Sequence, residues 1–356
     1  MSEASEALSA TARRFFADKI TKTLREQVEG GGWPASLWNE ADALGFTGVA
    51  LSEGRGGLGF DFHDIASLLF EAGRAAAPLP LGEAVLAEFI LAAADLPPAS
   101  GFVAVSSAAP ADRLQLERGN GGWTATGVLH NVPWARHATN VVAIAEMDGK
   151  PVTILLPRLG RCSHGCNLAD EPRDQLDIDH VAIPDDHVGR AGAGLTCARM
   201  FTLGAWVRCV MMSGALEGIL DIAVGYAKDR VQFGKPIAKF QAIQQQMAVL
   251  ASQAASAAAS AAGATAALST TGGDFEIALA KTRVGEAAGI AAAIAHQVHG
   301  AIGFTREYRL QLSTRRLWAW RDEFGGESEW AAKIGVMVAA GDGRALWPLL
   351  TAAEHG

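Results

Sequence analysis

The hydrophobic period of this chain changes twice. Up to about residue 97, apolar residues recur three and four positions apart, as one face of a helix requires. From about 98 to 190 the runs are short, β-branched and broken by turn residues. From about 191 the helical period returns, in longer runs. A chain that switches from helix to strand and back cannot form a single parallel α/β sheet. The expectation is an α+β fold, mostly α: an N-terminal helical domain over 1–97, a central antiparallel β domain over 98–190 and a C-terminal four-helix-type bundle over 191–356.

Local signals agree with that division. "EASEALSATARRFFADKI" is amphipathic, "WPASLWNEADALGF" runs from a proline to Gly45, and "DFHDIASLLFEAGRAAA" opens on Asp61. In the middle, "MDGKP" sets Asp-Gly between two apolar runs, a hairpin signal. Further helices are expected over 196–230, 240–270, 275–299 and 306–321, with a last one from about 327. Gly272-Gly273 breaks the second from the third, and Asp274 is expected to cap the latter. Small side chains dominate those two, so they should pack closely.

Hydrophobic residues make up 49% of the 356 and charged ones 19%, a globular balance. The net charge is −8 and the 30 lysines and arginines form no block, which argues against nucleic acid as a partner. No secretory signal is read at the start, and the most apolar stretch, 246–268, reads as too weakly apolar for a membrane span. Four scattered cysteines suit a reducing, cytoplasmic setting. Cys162, His164 and Cys166 have no second ligand pair elsewhere, so no metal site is expected.

Residues 229–241, "DRVQFGKPIAKFQ", put Arg230, Phe233, Gly234 and Gln241 just beyond a long apolar run. Residues 296–316, "HQVHGAIGFTREYRLQLSTRR", set Gln297 before a turn at Gly300 and Ala301. An arginine followed by Phe-Gly and a glutamine, and later a glutamine before a glycine turn and an aromatic-Thr-x-Glu run, resemble the acyl-CoA dehydrogenase family. "EADALGFTGVALSEGRGGLG" is similar to its first domain, so the likeness spans nearly the whole chain. It implies FAD as cofactor, an acyl-CoA substrate, an electron-transfer flavoprotein as acceptor and a homo- or hetero-oligomeric dimer of dimers. A guanidinium fork suits a pyrophosphate, a ring can pack on adenine, and glycine lets a ligand approach. The resemblance assigns Arg230, Phe233, Gln241, Gln297, Gly300 and Ala301 to the FAD of a neighbouring subunit.

Three features depart from the family. Its TEP-GSD type strand is replaced by "VAVSSAAPADR". A Trp-x-Thr beside the flavin ring is replaced by "HNVPWARHA", with Trp134 out of register. The third departure is the catalytic base. The reaction removes an α-proton from an acyl thioester, so a carboxylate in a dry site is needed. Counting from Arg315-Arg316 without a gap puts Phe324 at the family's Glu; one residue of slack puts Glu323 there, beside Asp322. The alternative position, on the first bundle helix, falls near Gly204 and offers no carboxylate.

The base is therefore Glu323, Asp322, or absent from this chain. Two functions stay open: FAD-dependent oxidation of an acyl-CoA to the 2,3-enoyl-CoA, or a non-catalytic half-site subunit of a heteromer such as those of steroid side-chain degradation. A flavin oxidase or monooxygenase on the same fold is a third.

Overall fold

The structure is a computed structural model that describes residues 3–55, 57–106, 111–119, 121–157, 161–190, 195–270, 272–340 and 347. Among these residues, five helices come first: α1 (Glu3–Lys19), α2 (Lys22–Val28), α3 (Ala35–Ala43), α4 (Phe62–Arg74) and α5 (Leu81–Ala93). Seven strands follow: β1 (Val103–Val105), β2 (Arg113–Gly119), β3 (Gly122–Pro133), β4 (Asn140–Met147), β5 (Lys150–Pro157), β6 (Cys162–Ser163) and β7 (Arg173–Ile183). The chain then returns to helix with α6 (Cys197–Asp229), a small hairpin of β8 (Val231–Gln232) and β9 (Lys235–Pro236), α7 (Gln241–Leu268), α8 (Asp274–His299), α9 (Leu310–Asp322) and α10 (Glu327–Ala340). Helical, sheet and helical segments thus succeed one another as the periods require.

The described residues gather into two compact units that interleave along the chain. One takes its members from 21–61 and 78–204, the other from 1–20, 62–77 and 205–356. In the first unit the sheet runs β1-β4-β2-β3-β7-β6, with β5 also paired to β4. Four pairings are antiparallel, as expected. Two are parallel, β1 with β4 and β2 with β4, so the sheet is mixed. Asp148 and Gly149, both at positive φ, close the β4–β5 hairpin at the place the sequence marks. α5 packs on β1, β4 and β5, and Leu81, Val85, Leu86 and Ile90 are buried. Trp134 is buried too, beside Trp33 and His137, and belongs to the core.

The second unit is built on close helix approaches. Gly73 of α4 sits where a Cβ would lie 1.9 Å from the Met211 carbonyl oxygen of α6. Gly214 of α6 sits where a Cβ would lie 1.9 Å from the Phe70 carbonyl oxygen of α4. Two reciprocal glycines therefore bring the backbones together. α7 and α8 pack through alanines, among them Ala257, Ala261, Ala264, Ala280, Ala287 and Ala291, all buried. Trp206 Nε1 donates to Thr265 Oγ1 at 2.9 Å, which satisfies the one polar atom of a fully buried indole.

Two local expectations change. α9 begins at Leu310, because residues Gly300–Phe304 form a tight 3₁₀ turn first. Gly273, at φ 73°, takes the cap position of α8, and Asp274 is its first helical residue. The membrane reading changes too: α7 and the run Asp274–Phe304 each hold an 18-residue window of mean hydropathy 1.2, long and apolar enough to cross a membrane. Alanine carries that hydropathy. In α8 much of it serves packing, with 44% of the window buried.

If the glycine crossing holds α4 to α6, Gly214→Ala should cost about 1–3 kcal/mol, as overpacking against backbone does. Gly225→Ala lies on the same helix with nothing within 4 Å of the added methyl. It should gain up to about 1 kcal/mol from helix propensity alone. Chemical denaturation of both variants checks the contrast.

Candidate functional site

All the residues singled out for a cofactor lie in the second unit. Arg230 follows the last residue of α6, and its backbone N–H still bonds the Tyr226 carbonyl at 2.9 Å. The chain then turns through β8 and β9, with Phe233 and Gly234 as the two turn residues. Their φ values are 51° and 77°. Both are left-handed, as a type I′ turn needs, but such turns favour Asn, Asp or Gly at the first position. Phe233 occupies it while 91% exposed. Its only ring contact among the described residues is an edge approach to Phe240 at 6.1 Å. Arg230 is exposed as well, and among the described residues its guanidinium has no hydrogen-bond or ion-pair partner. Gln241 is the exposed first residue of α7.

Gln297, Gly300 and Ala301 are exposed at the end of α8. Gln297 and Gly300 line a recess of about 400 Å³ with His296, Phe304 and Trp318. Gly300 has φ 63° and nothing within 4 Å of an added Cβ, so its turn is open to a ligand. Phe304, 74% exposed, stacks on His296 at 4.5 Å. Burial pushes the His296 and His299 pKa values down, with the neighbouring backbone opposing it. Neutral rings therefore face this end of the helix.

The two groups meet through aromatic rings. Tyr226, one turn before Arg230, stacks on His299 at 4.4 Å, and its hydroxyl donates to the His299 carbonyl at 3.3 Å. Tyr308 approaches both rings. The end of α6, with its hairpin, is thus fixed against the end of α8. Arg230, Phe233 and Gln241 do not line the recess itself.

The carboxylates lie at the end of α9. Asp322 is its exposed last residue. Glu323 takes the C-cap position with extended backbone, φ −67° and ψ 136°, and Phe324 follows at φ 55°. Glu323 Oε2 accepts from Arg208 Nε of α6 at 2.8 Å. The Arg208 side chain is 2% exposed and that of Glu323 19%. The guanidinium also lies over the rings of Trp320, at 5.6 Å, and Phe324, at 5.8 Å. Glu323, Trp320 and Phe324 therefore enclose one buried cation.

A second buried cation holds the same helix end. Lys281 of α8 donates from Nζ to the Arg321 carbonyl at 2.6 Å and to that of Trp320 at 3.3 Å, satisfying carbonyls that a helix terminus leaves without partners. Burial lowers its pKa. Burial likewise pushes the Cys209 thiol up to about 12, which makes it an inert core residue. Arg321 pairs with Glu327 of α10.

Sequence reasoning missed Arg208 and Lys281. The signal for Arg208 was present: one arginine inside "GAWVRCVMM", an otherwise apolar run, requires a buried acid somewhere. Of the replaced strand motif, Val103–Val105 form β1, and residues 107–110 lie outside the described residues. Cys162 lies in β6, and Cys166 bridges to Pro172.

Comparison with known proteins bears on this geometry. Residues 2–94 match the family model "Acyl-CoA dehydrogenase, N-terminal domain", and residues 192–336 match "Acyl-CoA dehydrogenase, C-terminal domain". The acyl-CoA dehydrogenase IpdE2 of Mycobacterium tuberculosis is 30% identical over 288 residues, covering 80% of this chain and 81% of that protein. Two solved structures share the fold. The ChsE4-ChsE5 complex of M. tuberculosis has a TM-score of 0.87 at 20% identity, covering 95% of this chain and 98% of that one. The Tcur3481-Tcur3483 steroid ACAD has a TM-score of 0.83 at 24% identity, covering 96% and 99%.

A left-handed phenylalanine stores strain of roughly 1–3 kcal/mol. Phe233→Asn, which suits the turn, should raise the midpoint of thermal unfolding. An unchanged or lower midpoint would mean that the ring stabilises the isolated chain by its contact with Phe240.

Proposed function

Since this chain belongs to the acyl-CoA dehydrogenase family, we propose that it serves FAD-dependent α,β-dehydrogenation of an acyl-CoA thioester as one subunit of a heteromer, giving the 2,3-enoyl-CoA. The acyl group is bulky and of the steroid type. The unlike partner chain brings the catalytic carboxylate. Electrons pass on to an electron-transfer flavoprotein, and the assembly is a cytoplasmic dimer of dimers with the three-segment domain order inferred from sequence.

One observation carries the cofactor half of this reading: an exposed guanidinium with no side-chain partner among the described residues, beside a strained, exposed ring on a two-residue turn. These residues fit the dinucleotide end of FAD. Arg230 would hold the pyrophosphate, Phe233 would pack on the adenine, and Gln297 with the open Gly300–Ala301 turn and Gln241 would complete the cradle. When bound, the flavin supplies the acceptor for the hydride that leaves Cβ.

The Arg208 pair carries the heteromer half. A base must be able to take up the α-proton from a bound substrate. Glu323 instead pairs with a buried guanidinium, and protonating it would break that ion pair. A second reading keeps the reaction within this chain. Glu323 is 19% exposed and Asp322 lies open beside it, so either could take the proton once substrate displaces the pairing.

Anaerobic mixing with a series of acyl-CoAs separates the two. The purified chain alone should not bleach flavin, and the chain with its unlike partner should. Glu323→Gln in the pair should leave the rate within about twofold, against the hundredfold or larger loss that removing a base causes. Bleaching by the chain alone that Glu323→Gln or Asp322→Asn abolishes supports the second reading. In either case Arg230→Ala should weaken flavin binding by about ten- to a hundredfold, read by equilibrium dialysis while circular dichroism stays unchanged.

A further inference from the structure

The first unit holds a cavity of about 460 Å³ that the proposed reaction does not use. Its walls include Trp38 from α3, Leu51 and Leu58 from the glycine-rich turn, Leu91 from α5, and Phe102 just before β1. That volume lies in the range of small-molecule sites, and such walls are typical of them. Two carboxyl groups face it, Asp42 and Glu88. Asp42 already accepts a hydrogen bond from Thr47 Oγ1. Glu88 Oε2 accepts the Ala50 N–H at 3.0 Å, which fixes the orientation of the carboxyl group.

From this cavity and its two acids we infer a binding site for a compact, uncharged, alicyclic molecule that carries one hydroxyl or carbonyl oxygen. Trp38, Leu51, Leu58, Leu91 and Phe102 supply apolar contact for a hydrocarbon frame. Asp42 disfavours an anion. Glu88 supplies the single directed contact: burial raises its pKa to about 8, outweighing the Ala50 and Leu51 N–H groups and the charge of Arg55. At pH 7 the group keeps its proton. Oε2 accepts the Ala50 N–H, and a proton carried on the other oxygen is available to a ligand acceptor. A cationic ligand could not use that donor.

The sign of the pH dependence follows. Below about pH 8 Glu88 is a neutral donor. As the pH rises through that value it becomes a carboxylate without a compensating ion pair among the described residues, and it can only accept. Binding of a ketone should fade over that interval, and binding of an amine should strengthen.

The test uses camphor, borneol and bornylamine, three molecules of one shape that differ in a single polar group. Calorimetric titration of the 356-residue chain at pH 6.5 should give saturable one-site binding of camphor and borneol. At pH 9.5 camphor should bind about tenfold more weakly, the loss of one hydrogen bond. Glu88→Gln still offers an N–H donor, so it should bind camphor without that pH dependence. Glu88→Leu should bind at pH 6.5 with the weaker affinity. No saturable binding of camphor or borneol at pH 6.5 would overturn the inference. So would wild-type camphor affinity that is equal at the two pH values, or bornylamine binding more tightly than camphor at pH 6.5. The wild-type pH comparison needs no variant to fold and no flavin, so its outcome is independent of the reaction proposed above.

Discussion

A guanidinium buried to 2% exposure must be given a counter-charge, and in this fold Arg208 finds it in Glu323, 115 residues later. The requirement fixes the end of α9 against the middle of α6. It also explains the backbone just beyond. Glu323 leaves the helix in an extended conformation so that its carboxylate reaches Arg208, and Phe324 turns left-handed to place its ring over the same cation. Lys281 of α8 then holds the terminal carbonyls of that helix end. Three helices of one unit are thereby tied to a single electrostatic arrangement, within one residue of the position where family likeness would place a catalytic acid.

The features legible in the sequence were local ones. The two changes of period place the helical and strand segments, because side-chain alternation is a property of each segment by itself. Asp148-Gly149 marks a turn for the same reason: the turn type demands positive φ at those residues. What stayed hidden depends on partners far away in sequence. The parallel pairing of β1 with β4 is a choice of neighbour that no strand's own pattern encodes. Gly73 and Gly214 look like weak helix positions until each is seen against the other helix's carbonyl. Arg208 is readable as a buried charge, but nothing near it names Glu323 as its partner.

The site divides along the same line. Arg230, Phe233, Gln297 and Gly300 were picked out by family resemblance, which two short local motifs carry, and they lie at one end of the unit, joined by Tyr226, His299 and Tyr308. The acid could not be assigned by counting, since one residue of slack moves it from a phenylalanine to a carboxylate. Exposure explains the asymmetry between the halves. The hairpin presents strain and a charge that is uncompensated among the described residues, as a surface completed by something else would. The α9 end is closed on itself, each cation already held.

The central claim is that Glu323 serves Arg208. A double-mutant cycle of Arg208→Met and Glu323→Gln, followed by chemical denaturation, measures that pairing directly. The account predicts a coupling free energy of about 2 kcal/mol or more, near the top of the range for residues in contact, with the double variant more stable than Glu323→Gln alone. A coupling below about 0.5 kcal/mol would contradict it, leaving Glu323 free to act as the base of this chain.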